Sequence, residues 1–301
     1  MEYVLMAVSI MFSVVNAGLL RSFGNKTKDN RFSPFIFNAG VSVVWMTLLS
    51  LWLLISGDCK ISATAVIYGV VYGVILGLFL LFKMQATAEG PVSLTTLIGS
   101  CAFIIATGFS VFYAGESVSK FQLIGMGLLL ASLVLCINPK KSGEKLTTKW
   151  FINCFMFFFI GGLVGILYKL FGKSTASDQV NTMILVASVV SGIFFVSGGF
   201  IEAKKNHKSI EKPTRLVLLY MLLCGIAGCV YIRLNVSLSK VIPGAIFFPV
   251  SNGGMVILST VIGKVLFGEK LKRIQIIGIL IGLIAIIING CGDVLWKMMM
   301  H

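Results

Sequence analysis

A chain of 301 residues could form one large or two medium soluble domains, but the composition excludes a soluble protein. Hydrophobic residues make up 57% of the chain and charged residues only 12%, whereas a soluble domain carries about 25% charged residues. The mean hydropathy is +0.98. So few polar side chains cannot cover the outside of a soluble fold, and the same composition excludes disorder, collagen and coiled coil. The sequence therefore predicts an integral membrane protein.

The excess of basic residues, a net charge of +14, does not indicate a nucleic-acid partner. Lys and Arg lie in short runs between apolar stretches, as expected for loops at one membrane surface. The seven cysteines are scattered and contain no CxxC pair, which supports neither a disulfide framework nor a metal site. We expect no cofactor, and the expected partners are the lipid bilayer and a small-molecule substrate. The oligomeric state is left open.

Ten apolar runs have about the length that a membrane-spanning helix needs, roughly 20 residues. The first run is expected to be kept as a helix, because Met1 to Tyr3 include no basic residue and the run lacks a small-residue cleavage site. In chain order the runs lie at residues 3–20, 35–55, 64–82, 91–113, 122–137, 150–168, 182–200, 216–232, 243–266 and 275–292.

The polar stretch at residues 138–149 separates two similar sets of five runs, residues 1–137 and 150–301. FYAGESVSKFQLIG, which ends at Gly125, aligns without gaps with VLFGEKLKRIQIIG, which ends at Gly278, and LLRSFG aligns with LYKLFG in the first run of each set. Five spans bring the chain out on the opposite membrane face, so the second copy is inverted. We expect an all-α integral membrane protein with ten transmembrane helices in two inverted five-helix repeats. This architecture places a binding site near the membrane midplane and permits alternating access.

The ten helices, the duplication and the hairpin pattern Gly-Glu followed by Gln-x-x-Gly resemble the EamA group of the drug/metabolite transporter superfamily. Residues 91–135 are the most similar part, and residues 243–288 repeat them. The resemblance implies a secondary carrier of metabolites, amino acids or drugs in the cell membrane. It does not extend to the glutamate that the small multidrug resistance relatives carry in the first helix, because residues 4–20 contain no acid.

Two basic residues near the ends of apolar runs are the leading candidates for substrate contacts, because a charge in hydrocarbon costs a few kcal/mol or more. Alignment of LFLLFKMQATAEGP with GCVYIRLNVSLSKVIP pairs Lys83 with Arg233 and Gln85 with Asn235. Two cations with neighbouring amides suit a carboxylate, a phosphate or a zwitterion. The alternative is snorkelling, in which each long side chain reaches its own interface.

Other polar residues in the apolar runs are candidates for lining a substrate cavity or for bonding between helices. Two of them are Asn16 and Asn38. Two more, Ser251 and Asn252, belong to FFPVSNGG at residues 247–254, where a proline and two glycines favour either an interrupted helix or a packed kink.

Acidic residues are scarce in the runs. Glu89, at the bend after the third run, is the candidate proton carrier. Glu116 and Glu269 lie in the hairpins and are interpreted as structural, with each carboxylate accepting N–H bonds at the start of the following helix. The only histidines are His207 and His301, and no cluster of Asp, Glu and His lies in the runs. We therefore expect no metal site and no enzyme, although a membrane enzyme or a structural membrane component is the alternative to a transporter.

The distribution of basic residues predicts the orientation in the membrane. With Lys83 and Arg233 set aside, 17 of the other 23 basic residues follow the first, fifth, seventh and ninth runs, and 6 lie on the opposite side. Short basic loops stay in the cytoplasm, so this bias places both termini outside, whereas the family resemblance implies that both are inside. We expect the orientation to follow the charge bias, with both termini outside. A reporter fused after His301 that fluoresces only in the cytoplasm should therefore stay dark, and bright cells would contradict the prediction.

Overall fold

Helices account for the regular structure of this chain. The computed structural model describes residues 1–26, 33–57, 60–90, 92–113, 115–136, 147–205, 212–267 and 272–299, and every regular element in these ranges is an α-helix. The helices are α1 (Glu2–Lys26), α2 (Pro34–Ser56), α3 (Ala63–Glu89), α4 (Val92–Ser100), α5 (Phe103–Phe112), α6 (Lys120–Cys136), α7 (Thr148–Gly172), α8 (Val180–Lys205), α9 (Arg215–Ser239), α10 (Gly244–Phe267) and α11 (Arg273–Met299).

These eleven helices correspond to the ten expected spans. Nine stretches of the described chain are long and apolar enough to cross a membrane, and one of them, Leu94–Phe112, contains both α4 and α5. The tenth, α6, has 17 residues, which at 1.5 Å per residue is about 26 Å and close to the hydrocarbon thickness of about 30 Å. The predicted all-α membrane fold is confirmed.

The fourth run, predicted as one continuous helix over residues 91–113, contains a tight turn between α4 and α5. There the N–H of Ala102 bonds the carbonyl of Gly99 at 3.1 Å, and the N–H of Ile104 bonds the carbonyl of Cys101 at 3.0 Å. Bonds that reach back three residues rather than four belong to a 3₁₀ turn. The span is therefore two short helices rather than one.

The proline in FFPVSNGG does not interrupt its helix. Pro249 lies inside α10, which continues from Gly244 to Phe267. A proline has no N–H, so the helix lacks one ladder bond at this position. Of the two expectations for this segment, the interrupted helix is wrong.

The helices form two compact units, and each unit draws on both sequence repeats. Unit 1 comprises residues 1–10, 78–170 and 238–301, and unit 2 comprises residues 11–77 and 171–237. These are units of packing and not of sequence duplication, so the repeat boundaries given above stay a prediction.

In unit 1, α6 and α11 pack antiparallel and are joined by two hydrogen bonds between equivalent positions. Asn289 Nδ2 donates to the carbonyl of Gln122 at 3.2 Å, and Gln275 Nε2 donates to the carbonyl of Cys136 at 2.9 Å. The hairpin alignment has an offset of 153 residues, and 275 − 122 and 289 − 136 both equal 153, so the same two positions of each repeat meet, with donor and acceptor exchanged. Equivalent residue pairs that meet with the helices reversed are what inverted repeats would produce, so this crossing supports the predicted inversion.

Equivalent glycines let α6 and α11 approach closely. A Cβ added at Gly278 would lie 3.0 Å from the backbone nitrogen of Cys136, and one added at Gly125 would lie 3.0 Å from that of Asn289. The hydroxyl of Ser132 donates to the carbonyl of Gly278 at 2.7 Å. Small residues at such a crossing allow backbones to touch in lipid, where packing rather than a hydrophobic driving force holds helices together.

In unit 2, α2 and α8 also pack antiparallel. The hydroxyls of Ser42 and Ser191 lie 3.3 Å apart, and the hydroxyl of Ser33 donates to the carboxylate of Glu202. The small-residue face of α3 packs on α8 as well, through three glycines spaced four residues apart: Gly69, Gly73 and Gly77.

Replacing Gly278 by Ala should destabilise the protein, because the new methyl group meets atoms of α6, including a backbone nitrogen that cannot move aside. Overpacking of this kind costs about 1–3 kcal/mol. Gly290 is the matched control on the same helix, since a Cβ there meets nothing within 4 Å, and G290A should leave the melting temperature unchanged or raise it. Thermal unfolding of both variants in detergent measures the difference. Equal melting temperatures would contradict the close crossing.

Candidate functional site

Lys83 and Arg233 occupy the same register in α3 and α9. Each lies six residues before the last residue of its helix, which is Glu89 in α3 and Ser239 in α9. At 1.5 Å per residue, this is about 9 Å along the helix axis. The register supports the alignment that paired these residues.

Arg233 is held by two side chains of unit 2. Its Nε donates to Oδ1 of Asn181 at 2.7 Å, and its Cζ lies 5.1 Å from the centre of the Trp52 ring. Asn181 is the second residue of α8, and Trp52 lies four residues before the end of α2. The guanidinium therefore has a hydrogen bond at one edge and an aromatic ring against it, within the distance of a cation–π interaction.

Lys83 belongs to unit 1 and is half-buried. Among the residues that the structure describes, no carboxylate lies within 4 Å of its ammonium group. The amides that follow the two cations differ, because Gln85 is exposed whereas Asn235 is buried. Since Lys83 and Arg233 belong to different packing units, their approach to a shared substrate stays a prediction.

Four other predicted site residues fall into two groups. Asn38 and Asn252 bond back to their own helices, through Nδ2 to the carbonyl of Pro34 at 2.9 Å and of Phe248 at 3.0 Å. By contrast, the described part of the chain provides no hydrogen-bond partner for two buried atoms, Oδ1 of Asn16 and Oγ of Ser251. Buried polar atoms are normally bonded, so these two are free to bond a ligand or water.

Glu89, the predicted proton carrier, is the last residue of α3 and contacts the start of α7 within unit 1. Its carboxylate accepts a bond from Asn153 Nδ2 at 2.8 Å and lies 2.5 Å from the ammonium of Lys149. The carboxylate therefore has a cation and a buried amide as partners. Proton transfer through Glu89 stays a prediction.

Glu116 forms a buried ion pair that sequence reasoning missed. Its Oε1 accepts a bond from Lys169 Nζ at 2.7 Å, and its Oε2 accepts the N–H of Gly244 at 2.5 Å. Lys169 also donates to the carbonyl of Ile242 at 2.9 Å and is only 4% exposed. The carboxylate thus bonds a helix start, that of α10 rather than that of the next helix α6. Glu269, its counterpart, lies outside the described residues.

A sequence signal for Lys169 was present. LYKLFG aligns with LLRSFG, which places Lys169 opposite Arg21, so both copies carry a cation at the end of the first helix of the repeat. Lys169 is the fourth residue from the end of α7, a position where a solvated lysine is common, and only its partner Glu116 and its low exposure show that this one is buried.

The fold defines a multi-pass membrane protein, and three of its charged side chains, Glu89, Lys169 and Arg233, bond partners near helix ends. A family model described as the EamA-like transporter family matches residues 4–138, the first five-helix repeat. The first repeat therefore matches this family, which is part of the drug/metabolite transporter superfamily, as the resemblance implied.

Comparison with solved structures supports the fold alone. A structure titled "Crystal structure of protein" is similar with a TM-score of 0.76 and 12% sequence identity, and the alignment covers 96% of this chain and 96% of that chain. No curated protein matches this sequence. Since members of the matched family are transporters, the family match indicates a membrane transporter.

Removing one partner of the Lys169–Glu116 pair should be far more harmful than removing both. K169M leaves the half-buried carboxylate of Glu116 without its cation. Breaking a fully buried pair in this way costs about 3–5 kcal/mol, whereas replacing both partners by neutral residues is often tolerated. We expect K169M to lower the melting temperature strongly and K169M/E116Q to recover most of the loss.

The exposed pair Lys60–Asp178 is the matched control. Its charged atoms are 3.7 Å apart and its side chains are 67% and 58% exposed, so K60Q should cost less than about 1 kcal/mol. A K169M variant no less stable than K60Q would contradict the role of the buried pair.

Proposed function

We propose that this protein is a secondary transporter that moves a small metabolite or drug-like solute across the cell membrane by alternating access, and that the solute bears an anionic group. The family match supports transport, and the twofold contact between α6 and α11 supports the mechanism. Inverted repeats give a carrier two related halves, and rocking one half against the other exposes the binding site to each face in turn.

The observation that carries the anionic group is the matched pair of cations in equivalent helices. Lys83 and Arg233 each lie about 9 Å from a helix end, and neither has a carboxylate partner among the described residues. An intramembrane charge without a counter-charge is costly unless it has a functional partner. An anionic solute would supply that partner during transport.

Two of the predicted site residues with unpartnered buried atoms are further candidates for substrate contacts. Asn16 on α1 and Ser251 on α10 each present an oxygen that has no protein partner in the described chain. Substrate hydroxyl or amine groups could bond these oxygens, and the loss of such a bond would weaken binding by the cost of leaving a buried polar atom unsatisfied.

Transport by purified protein in liposomes tests the proposal. Uptake should be saturable and stimulated by substrate preloaded inside the vesicles, with substrates identified by a screen of metabolites for thermal stabilisation. K83Q and R233Q should each lower the apparent affinity for an anionic substrate by about tenfold or more, because a charge-assisted bond contributes about 1.5–3 kcal/mol.

Lys120 provides the control, since it is an exposed lysine at the start of α6. K120Q should transport like the unchanged protein. Affinity and rate that remain unchanged in both K83Q and R233Q would leave snorkelling as the explanation for these cations. Uptake that rises linearly with concentration and shows no counterflow would contradict a carrier.

A further inference from the structure

The guanidinium of Arg233 is fixed in orientation by its surroundings in unit 2. Asn181 on α8 accepts a bond from Nε at 2.7 Å, and Trp52 on α2 lies against the group at 5.1 Å. A hydrogen bond in the plane of the group and a ring against it together restrict rotation about the terminal bonds of the arginine. This arrangement is preorganised, so less side-chain entropy is lost when a ligand binds.

The fixed orientation leaves one edge of Arg233 available. A guanidinium can bond a carboxylate or phosphate through Nε with one terminal nitrogen, or through the two terminal nitrogens Nη1 and Nη2. The bond from Nε to Asn181 blocks the first mode. No other hydrogen-bond partner for Arg233 occurs within the described residues, so the N–H groups of Nη1 and Nη2 are available for the second.

We propose that Arg233 is an end-on receptor for an oxyanion of the transported solute, a carboxylate or a phosphate, with Asn181 and Trp52 as positioning residues. This inference rests on the proposed function and adds how the anion is bound. Nη1 and Nη2 donate two parallel bonds to two oxygens of the anion. Asn181 fixes the rotation of the fork, and Trp52 supports the guanidinium while excluding water from that side.

The position of Arg233 suggests a second ligand with the same chemistry, the phosphate of a lipid headgroup. Arg233 lies about 9 Å from the end of α9, and Trp and Arg near a membrane interface also bond phospholipid headgroups. A solute anion and a lipid phosphate would use the same two nitrogens. The experiment therefore has to distinguish a soluble oxyanion from a lipid headgroup.

Binding is measured on the full-length protein in neutral detergent through tryptophan fluorescence, with Trp52 as the internal reporter. The probes are sodium acetate, sodium succinate and sodium phosphate, compared with sodium chloride at equal ionic strength. We expect a saturable fluorescence change with at least one oxyanion and none with chloride. The change should disappear in W52F, which keeps an aromatic ring beneath Arg233 and so preserves the fold.

Variants at Arg233 and Asn181 test the geometry. R233K keeps the charge but loses the two-pronged donor, and it should weaken oxyanion binding by about tenfold or more. N181A should weaken binding less than R233K, and N181Q, which restores a carbonyl acceptor, should recover part of the loss. Such recovery would not follow if Asn181 served packing alone.

The matched control is R215K, an equivalent change at the exposed first residue of α9, which should bind like the unchanged protein. Equal binding by R233K and the unchanged protein would overturn the inference. So would a fluorescence response to a short-chain phosphatidylglycerol that no soluble oxyanion produces, because it would assign the site to lipid.

The counterflow assay separates this inference from the proposed function. R233K that transports with unchanged affinity contradicts the receptor while the protein remains a carrier. Saturable binding of a soluble oxyanion without counterflow would contradict the carrier and leave the receptor in place.

Discussion

A hydrocarbon interior that offers no hydrogen bonds dictates most of this structure. A helix satisfies its own backbone, and hydroxyls within it bond back to its carbonyls, as Thr47 does at 2.9 Å. Helix starts need other acceptors, so the N–H of Gly244 bonds Glu116, and at the start of α6 Ser119 and Gln122 each accept the other's N–H. The concentration of polar side chains at helix ends follows from this demand before any question of substrate arises.

Because the sequence is duplicated, some of these hydrogen bonds at helix starts occur in both repeats. Gln122 accepts the N–H of Ser119 at 2.9 Å, and its counterpart Gln275 accepts the N–H of Lys272 at 3.0 Å. The glutamine is the same in both copies although the capping residue differs, because its carbonyl oxygen supplies the acceptor in either case. The antiparallel crossing of α6 and α11 uses the same glycine from each copy, and it needs both of them, since a methyl group on either side would meet the partner helix. A shared physical demand has therefore kept the two halves alike at these positions.

The sequence predicted the features that depend on composition and repetition, and it failed where distant packing decides. Ten spans, the inverted repeat and the common register of the two cations follow from run lengths and alignment. The turn between α4 and α5 does not, because a hydropathy pattern cannot show that Gly99 packs against the ring of Phe157, where an added Cβ would lie 2.0 Å from a ring carbon. Pro249, which suggested an interrupted helix, lies in the second repeat, where α10 is continuous. Lys169 was missed for the same reason, since its partner Glu116 lies 53 residues away.

The two repeats differ in the type of cation that they carry at one matched position. Lys83 and Arg233 share a register, but an ammonium is a mobile point charge with three donors, whereas a guanidinium is a planar fork. Arg233 is further restrained by Asn181 and Trp52, while Lys83 has no carboxylate partner in the described chain. Two identical cations would bind an anionic solute equally well in either of its orientations. In the proposed function, where both cations contact the solute, a rigid fork in one repeat and a flexible charge in the other would remove that equivalence and give an asymmetric solute one preferred orientation.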